Sequence, residues 1–318
     1  MMNIVVCTDH NYVMPCGVML YSLCKNNLNN EICFCVVIDE SVTDSDKDDL
    51  KDIAGKFPNL QLIFYNIDGH LFDNFPSLGS GLYLTKATYY RLYLSEMLPQ
   101  SMNKVLYLDC DMIVRTDISE LWNVDVEDVA VAAAMDGMDG MIQLYNRLGY
   151  PIEKGYFNAG MLLINLKYWR KHDILNRCLN FIRDSRELIV SHDQDVLNVV
   201  LQNSKKNVDI TYNFGECFLY RPQNMSFNFL KHKKEIDAFI NNPAIVHYTV
   251  SKPWNQSCLN PFRTLFYKYR DETKWKGMPL QKKKYTKKEI VKELLYRLGI
   301  MHRVAVENPF RQINFELN

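Results

Sequence analysis

The chain has 318 residues, 47% of them hydrophobic and 23% charged, with 37 basic and 37 acidic side chains in balance. That length can bury one large α/β domain or a domain with an appendage, and zero net charge offers no general attraction for nucleic acid. Nine cysteines, with no CxxC pair and no zinc-spaced His cluster, read as a reduced, cytoplasmic chain.

In chain order, the opening MMNIVVCTDHNY has too short an apolar run for a signal peptide, and NIVVCTD within it reads as a buried strand. MPCGVMLYSLCKNN follows with helical spacing, ICFCVVIDE is a second strand, DSDKDDLKDIAGKF a polar-faced helix and LQLIFYNID a third strand. This alternation predicts a largely parallel sheet with helices on both faces, whose ligands sit beyond the carboxyl ends of the strands. Thr8, Asp9, Asn11 and Asp109 to Asp111 lie on that side. KATYYRLYLSEML reads as a further helix, VLYLD and VEDVAVAAAMDG as strands, and GYFNAGMLLINLKYWRKHDI as a strand broken at Asn158-Ala159-Gly160 and then resumed. SHDQDVLNVVLQ reads as a helix with Ser191 at its N-cap and acids in the first turn. AIVHYTVSKPW is a short strand running into a loop that Pro253 stops.

Nowhere do about 18 uninterrupted apolar residues suggest a spanning helix. The composition changes near residue 270: residues 268–303 hold twelve Lys or Arg against four Asp or Glu. There EIVKELLYRLGIMHRV places Ile290, Leu294, Leu298 and Met301 on one helical face. A boundary at 268/269 separates a main domain from this basic region, whose helix either lies on an anionic membrane surface or docks back on the domain.

The chemistry concentrates at VLYLDCDMIV. Asp109 and Asp111, two apart at the end of a buried strand, present oxygen ligands suited to a hard divalent ion that bridges to a pyrophosphate. A plain Asx-turn is the ordinary alternative. A haloacid-dehalogenase-type phosphatase also carries Asp-x-Asp after an apolar strand, but wants it on the first strand. His247 alone would be a half-buried histidine with a backbone partner; with the two aspartates it completes a set suited to manganese more than magnesium. Lys252 suits a phosphate, or is a surface lysine. Asp193 and Asp195 cannot both face one way on a helix, and Gln194 gains nothing from the helix dipole, which favours a pocket role. Asn158-Ala159-Gly160 inside an apolar strand suggests a bulge or a close ligand approach.

VVCTDHNYVMPCGVMLYSL, KATYYRLYLSEML, KVLYLDCDMIV, YFNAGMLLINLKYWRKHDI, HDQDVLN and HYTVSKPW, in this order over about residues 1 to 260, resemble glycosyltransferase family 8, in particular its bacterial lipopolysaccharide glucosyl- and galactosyltransferases. The resemblance implies an α/β fold of GT-A type, a Rossmann-like mixed sheet flanked by helices. It further implies a donor such as UDP-glucose or UDP-galactose, Mn2+ with Mg2+ as the alternative, a saccharide or glycolipid acceptor, and retention at the anomeric carbon. By the same resemblance Asp109, Asp111 and His247 hold the ion, and Thr8, Asp9, Asn11 and Tyr12 meet uracil and ribose. Arg91 and Asn158 touch the diphosphate-sugar, with Cys110 and Ala159 among the nucleotide-sugar contacts. Asp193 meets the sugar hydroxyls, Gln194 lies near the anomeric carbon and Lys252 grips the diphosphate. Two positions depart from the family pattern: Val250 replaces a glycine, with Lys252 one residue early, and His10 stands where many members have an acid. A binding module without turnover is the non-enzyme alternative.

Overall fold

The computed structural model describes residues 1–76, 86–220, 229–282, 291, 294–295, 298–300 and 313. Its strands are β1 (Met2–Thr8), β2 (Ile32–Ile38), β3 (Leu60–Asn66), β4 (Lys104–Leu108), β5 (Met112–Val114), β6 (Val131–Met135), β7 (Phe157–Asn165), β8 (Lys205–Val208), β9 (Phe214–Gly215) and β10 (Ile245–His247). The helices are α1 (Val13–Lys25), α2 (Asp44–Ala54), α3 (Leu94–Met97), α4 (Ser119–Trp122), α5 (Ile142–Leu148), α6 (Leu166–Lys171), α7 (Ile174–Asp184), α8 (His192–Leu201), α9 (Phe229–Phe239) and α10 (Arg263–Arg270).

Every residue of β2 is buried, and only Asn3 of β1 is not. Such strands need cover on both faces, which is why ICFCVVI is apolar throughout rather than alternating. Ile4, Val6, Phe34 and Val36 turn to a core under α1 and α2, while Val5, Cys7, Cys35 and Val37 turn to the opposite core with Trp169 and Leu197. The large sheet runs β3-β2-β1-β4-β7-β6-β8, parallel from β3 to β4, with β7 antiparallel to both neighbours. A second sheet, β5-β10-β9, leaves it at one point. Asp109 N–H bonds Gly160 O on β7 at 2.8 Å, whereas Asp111 O accepts Tyr248 N–H just past β10 at 3.0 Å. Residues 109–111 are therefore where the chain changes sheets, and the two carboxylates are anchored to different sheets.

Several expected elements differ. Residues 86–93 wind as 3₁₀ turns before α3 rather than as one α-helix. Threefold winding stacks Thr88 under Arg91, whose Nε donates to Thr88 O at 3.0 Å. β7 runs unbroken through Asn158-Ala159-Gly160; the irregularity lies in its register with β6, between Ala133 and Met135. The strand ends at Asn165, whose side chain caps α6, so LKYWRK is helical. α7 is an additional helix; Ile174, Cys178 and Ile182, its buried stripe at four-residue spacing, are the signal that marks it. Ser191 precedes α8 but makes no side-chain cap bond.

The chain remains attached past residue 268. α10 spans that point, and Gln281 exchanges backbone bonds with Trp254 and Gln256 at 2.8 and 3.0 Å. Trp275 lies over Gly17 so closely that a methyl group there would sit 2.5 Å from Cη2. Of the amphipathic tail, Leu294 and Leu298 are exposed, while Ile290 and Met301 lie outside the described residues. Among the described residues no helix is long and apolar enough to cross a membrane.

Candidate active site

The sheet junction opens into a cleft. One part is lined by Thr8, Asp9, Tyr12, Tyr107, Cys110 and their neighbours, the other by Asn158, Ala159, Ser191, Asp193, Gln194 and Lys252, and both share Thr88, Arg91, Asp109 and Asp111. Asp9 caps the turn after β1 by accepting Asn11 N–H at 2.9 Å, which sets Tyr12 against Trp254, edge to face at 5.7 Å. Asn11 is exposed and lines neither part, so its expected place in the nucleotide contacts is not one the cleft wall provides. His10 turns away to Asp46, with Nδ1 2.8 Å from its Oδ2.

Asp109, Asp111 and His247 each offer a ligand atom, all within 4.8 Å of one another. His247 Nε2 stands 3.2 Å from Asp111 Oδ1 and 3.6 Å from Asp109 Oδ2. Adjacent ligands on an octahedral ion bonded at about 2.1 Å are themselves about 3.0 Å apart, so the donors fit a divalent cation. The charge fits too. Asp109, Asp111, Asp136 and Asp193 gather around the cleft against Arg91 and Lys252, a formal excess of two negatives. Burial works to raise the Asp111 carboxyl, yet Lys252 and His247 beside it hold it well below the usual carboxylate range.

Backbone donors fix the polarity of the surrounding amides. Gly160 N–H can only donate, and it bonds Asn158 Oδ1 at 2.9 Å, which also accepts from Asn213 Nδ2 at 2.9 Å. Asn213 Oδ1 therefore faces His247 Nδ1, at 2.8 Å, so that nitrogen donates a proton and Nε2 is the ring atom aimed at the two carboxylates. In the same way Ala159 N–H bonds Gln194 Oε1 at 3.0 Å, turning the Gln194 amide nitrogen to Asp136 Oδ2 at 3.3 Å. Asp136 also accepts from Asn158 Nδ2 and from Met138 N–H, at 2.8 and 2.7 Å. Asp136, Asn213 and Thr88 were not among the residues read as functional. Asp136 ends a strand as Asp109 does, a signal of the same kind, whereas nothing near Asn213 in sequence marks it.

Arg91 is buried over the Tyr107 ring, 4.3 Å from its centroid. It donates to Asp109 Oδ1 at 2.9 Å and to the Ala159 carbonyl, and its Nε lies 3.0 Å from Asp193 Oδ2. The last pairing is one of charge, because its angle makes no hydrogen bond and Oδ2 lacks a donor, while Oδ1 accepts Thr88 Oγ1 at 2.6 Å. Arg91 thus ties the carboxylates of Asp109 and Asp193 together. Asp195 turns the other way and is fully buried, accepting Val190 and Ser191 N–H, Tyr156 O–H and Arg147. This reversed cap replaces the one expected from Ser191 and holds the turn into His192, whose φ is 49°.

Removing the outer partner of a ligating histidine weakens metal affinity about 10–100-fold. For a divalent ion taken up at His247, Asn213→Ala is expected to raise the dissociation constant by that factor in calorimetric titration with Mn2+ as the probe; an unchanged constant means Asn213 does not govern the imidazole.

The sequence profile described as Glycosyl transferase family 8 matches residues 3–258. General stress protein A of Bacillus subtilis (strain 168) is 30% identical over 278 residues, 86% of this chain and 94% of that protein. The lipopolysaccharide glucosyltransferase WaaO of Escherichia coli (strain K12) is 28% identical, over 92% of this chain and 86% of its own length. A solved structure of galactosyltransferase LgtC in complex with donor and acceptor sugar analogs superposes with a TM-score of 0.74 at 25% identity, covering 92% of this chain and 100% of that one.

Proposed function

The chain belongs to glycosyltransferase family 8, as a hexosyltransferase of GT-A fold, and from that premise we propose that it moves glucose or galactose from UDP to a lipopolysaccharide core or similar bacterial surface glycan, with retention and with Mn2+ in the Asp109, Asp111 and His247 site. Support for the metal comes from one observation above all, three donor atoms within 4.8 Å of one another, with His247 Nε2 turned to the two carboxylates by the Asn213 contact on its other nitrogen. Support for the acceptor class comes from relatives named as lipopolysaccharide glucosyl- and galactosyltransferases.

A bound divalent ion would stabilise the negative charge that builds on the departing diphosphate. The protein's own groups do the remainder. Asp193, which lines the cleft with its carboxylate held between Thr88 and Arg91, orients a sugar hydroxyl. Gln194, pinned at both ends of its amide, stands beside the anomeric carbon as a fixed dipole. Lys252 adds positive charge at the phosphates. An amide is a poor nucleophile, Asp136 has donors on both oxygens, and Asp195 is sealed from the cleft. Asp193 is engaged by Arg91 and Thr88 with Oδ2 out of contact with the cleft space, so the route read here is front-face attack: the acceptor oxygen bonds the anomeric carbon as the bond to the phosphate breaks, and its proton passes to the departing phosphate. A glycosyl adduct trapped on Asp193 or Asp136 and seen by mass spectrometry refutes this route.

Slow hydrolysis of nucleotide sugars needs no acceptor and tests the whole reading. UDP-glucose or UDP-galactose should turn over with Mn2+ and stop in chelator. Release of phosphate from simple monoesters, with no nucleotide-sugar turnover, points instead to the phosphatase chemistry considered for Asp-x-Asp.

Burial pushes the Asp193 carboxyl up to about 6, against the pull of Arg91. On acidification it gains a proton near pH 6 rather than near 4, losing the charge that orients the sugar. The rate with saturating metal is expected to fall below about pH 6. Asp193→Asn should be slow at every pH and lack this limb.

For the basic tail the reading is an anionic membrane surface, where each Lys or Arg adds about 1 kcal/mol: Leu294 and Leu298 are exposed and available for insertion, while Ile313 packs back on the main core. Truncation after Lys282, which spares the Trp275 contact, should abolish binding to anionic vesicles in a sedimentation assay while leaving donor hydrolysis intact. Retained binding excludes the membrane role.

A further inference from the structure

Lys252 is placed where it can do more than grip a phosphate. Its ammonium contacts Asp111 Oδ2 and the carbonyl oxygens of Tyr248 and Thr249, the last two at 2.6 and 3.2 Å. Three N–H donors meet three acceptors, and the side chain is buried. The other oxygen of the same carboxylate, Oδ1, faces His247 Nε2. Asp111 thus turns one oxygen to the ligand triad and the other to a cation built into the chain.

The backbone under this lysine is clamped. Glu216, buried just beyond β9, accepts Val250 and Ser251 N–H through one oxygen, at 3.2 and 2.5 Å. Pro253 follows at once and restricts the backbone further. With the loop held from below, the part free to move is the four-carbon stem of Lys252, which has many rotamers. A divalent ion drawing on Asp111 repels an ammonium bound to that carboxylate, so the two compete for its charge.

We propose that Lys252 is a resident counter-cation of Asp111, displaced by the incoming divalent ion and then transferred to the diphosphate that enters with it. The inference rests on the metal-dependent reading given above. It makes ion and nucleotide cooperative. The ammonium loses Asp111 when the ion arrives and gains the phosphates only when the nucleotide follows, so each ligand strengthens binding of the other.

The test is a Mn2+ titration of the full chain without nucleotide, followed by electron paramagnetic resonance, on wild type, Lys252→Met and Lys252→Arg. A site open about a tenth of the time binds about tenfold more weakly than one always open. Lys252→Met is therefore expected to bind Mn2+ about tenfold more tightly than wild type, and to bind UDP more weakly at saturating Mn2+. Lys252→Arg, which keeps the charge, should stay near wild type in Mn2+ affinity. Lys252→Gln retains a donor for the two carbonyls and gives the same comparison if the methionine variant is poorly folded by circular dichroism. Equal or weaker Mn2+ binding by the neutral variants overturns the inference while leaving the metal site standing. No Mn2+ uptake by any of the proteins overturns both.

Discussion

With the proposed ion in the Asp109, Asp111 and His247 site, Gly160→Ala is expected to cost more than about 100-fold in Mn2+ affinity and a comparable factor in donor turnover. A methyl group at 160 would lie 2.8 Å from both Asp109 Oδ2 and His247 Nδ1, closer than non-bonded atoms approach. Neither side chain can retreat. Asp109 is tied to Arg91 and Tyr107, at 2.9 and 2.7 Å. His247 is held by Asn213 and by the pairing of β10 with strands on both sides. The strain must open the triad, and an ion held at about 2.1 Å does not tolerate that. Global stability should suffer less, by about 1–3 kcal/mol as for other overpacked sites. Calorimetric Mn2+ titration beside thermal melting separates the two effects. Wild-type affinity in Gly160→Ala would mean that the ion binds elsewhere.

Asp195→Ala is expected to be the most destabilising single change in the support behind the cleft. The carboxylate has no exposure and accepts from Arg147 at 2.8 and 3.3 Å, Tyr156 O–H at 2.7 Å, and Val190 and Ser191 N–H at 2.8 and 2.7 Å. Its removal strands a phenol and two amides and leaves the part-exposed Arg147 only its bond to Leu188 O, at a cost of about 3 kcal/mol, the lower end for a broken buried ion pair. The turn at 190–192 relaxes with it. His192 at φ 49° is held by that turn, and Asp193 and Gln194 take their direction from it. Turnover should therefore fall even at temperatures where the variant remains folded. Urea unfolding and donor hydrolysis on Asp195→Ala, with Asp193→Asn as a control that loses turnover and keeps stability, distinguish support from chemistry. A wild-type unfolding midpoint in Asp195→Ala would remove this argument.

How much of the site could be read along the chain depended on the kind of residue. Asp109 and Asp111 stand out because a buried strand ends on them, and Asp193 and Gln194 because polar side chains crowd the start of an apolar helix. His247 is visible only as a third ligand once the aspartates are known. Arg91, expected at the diphosphate-sugar, spends its donors on Asp109, Thr88 and Ala159, so its geometry is that of a brace between carboxylates. Asn158 likewise commits its amide to Asp136, Gly160 and Asn213. Residues 86–93, with helical spacing, wind more tightly because Arg91, Tyr89 and Tyr90 must all be buried at once.

The amino-acid order alone determined the apolar strands, their burial on both faces, and the polar residues at their carboxyl ends, because burial and periodicity are written in neighbouring residues. It did not determine which of those polar groups meet. Lys252 reaches Asp111 across 141 positions, Asn213 reaches Asn158 across 55, and Gln194 reaches Asp136 across 58. Those meetings follow from the order of strands in two sheets that part at residues 109–111. Only the folded arrangement decides the protonated nitrogen of His247 and the space that Gly160 must leave, since both depend on atoms brought together from distant strands.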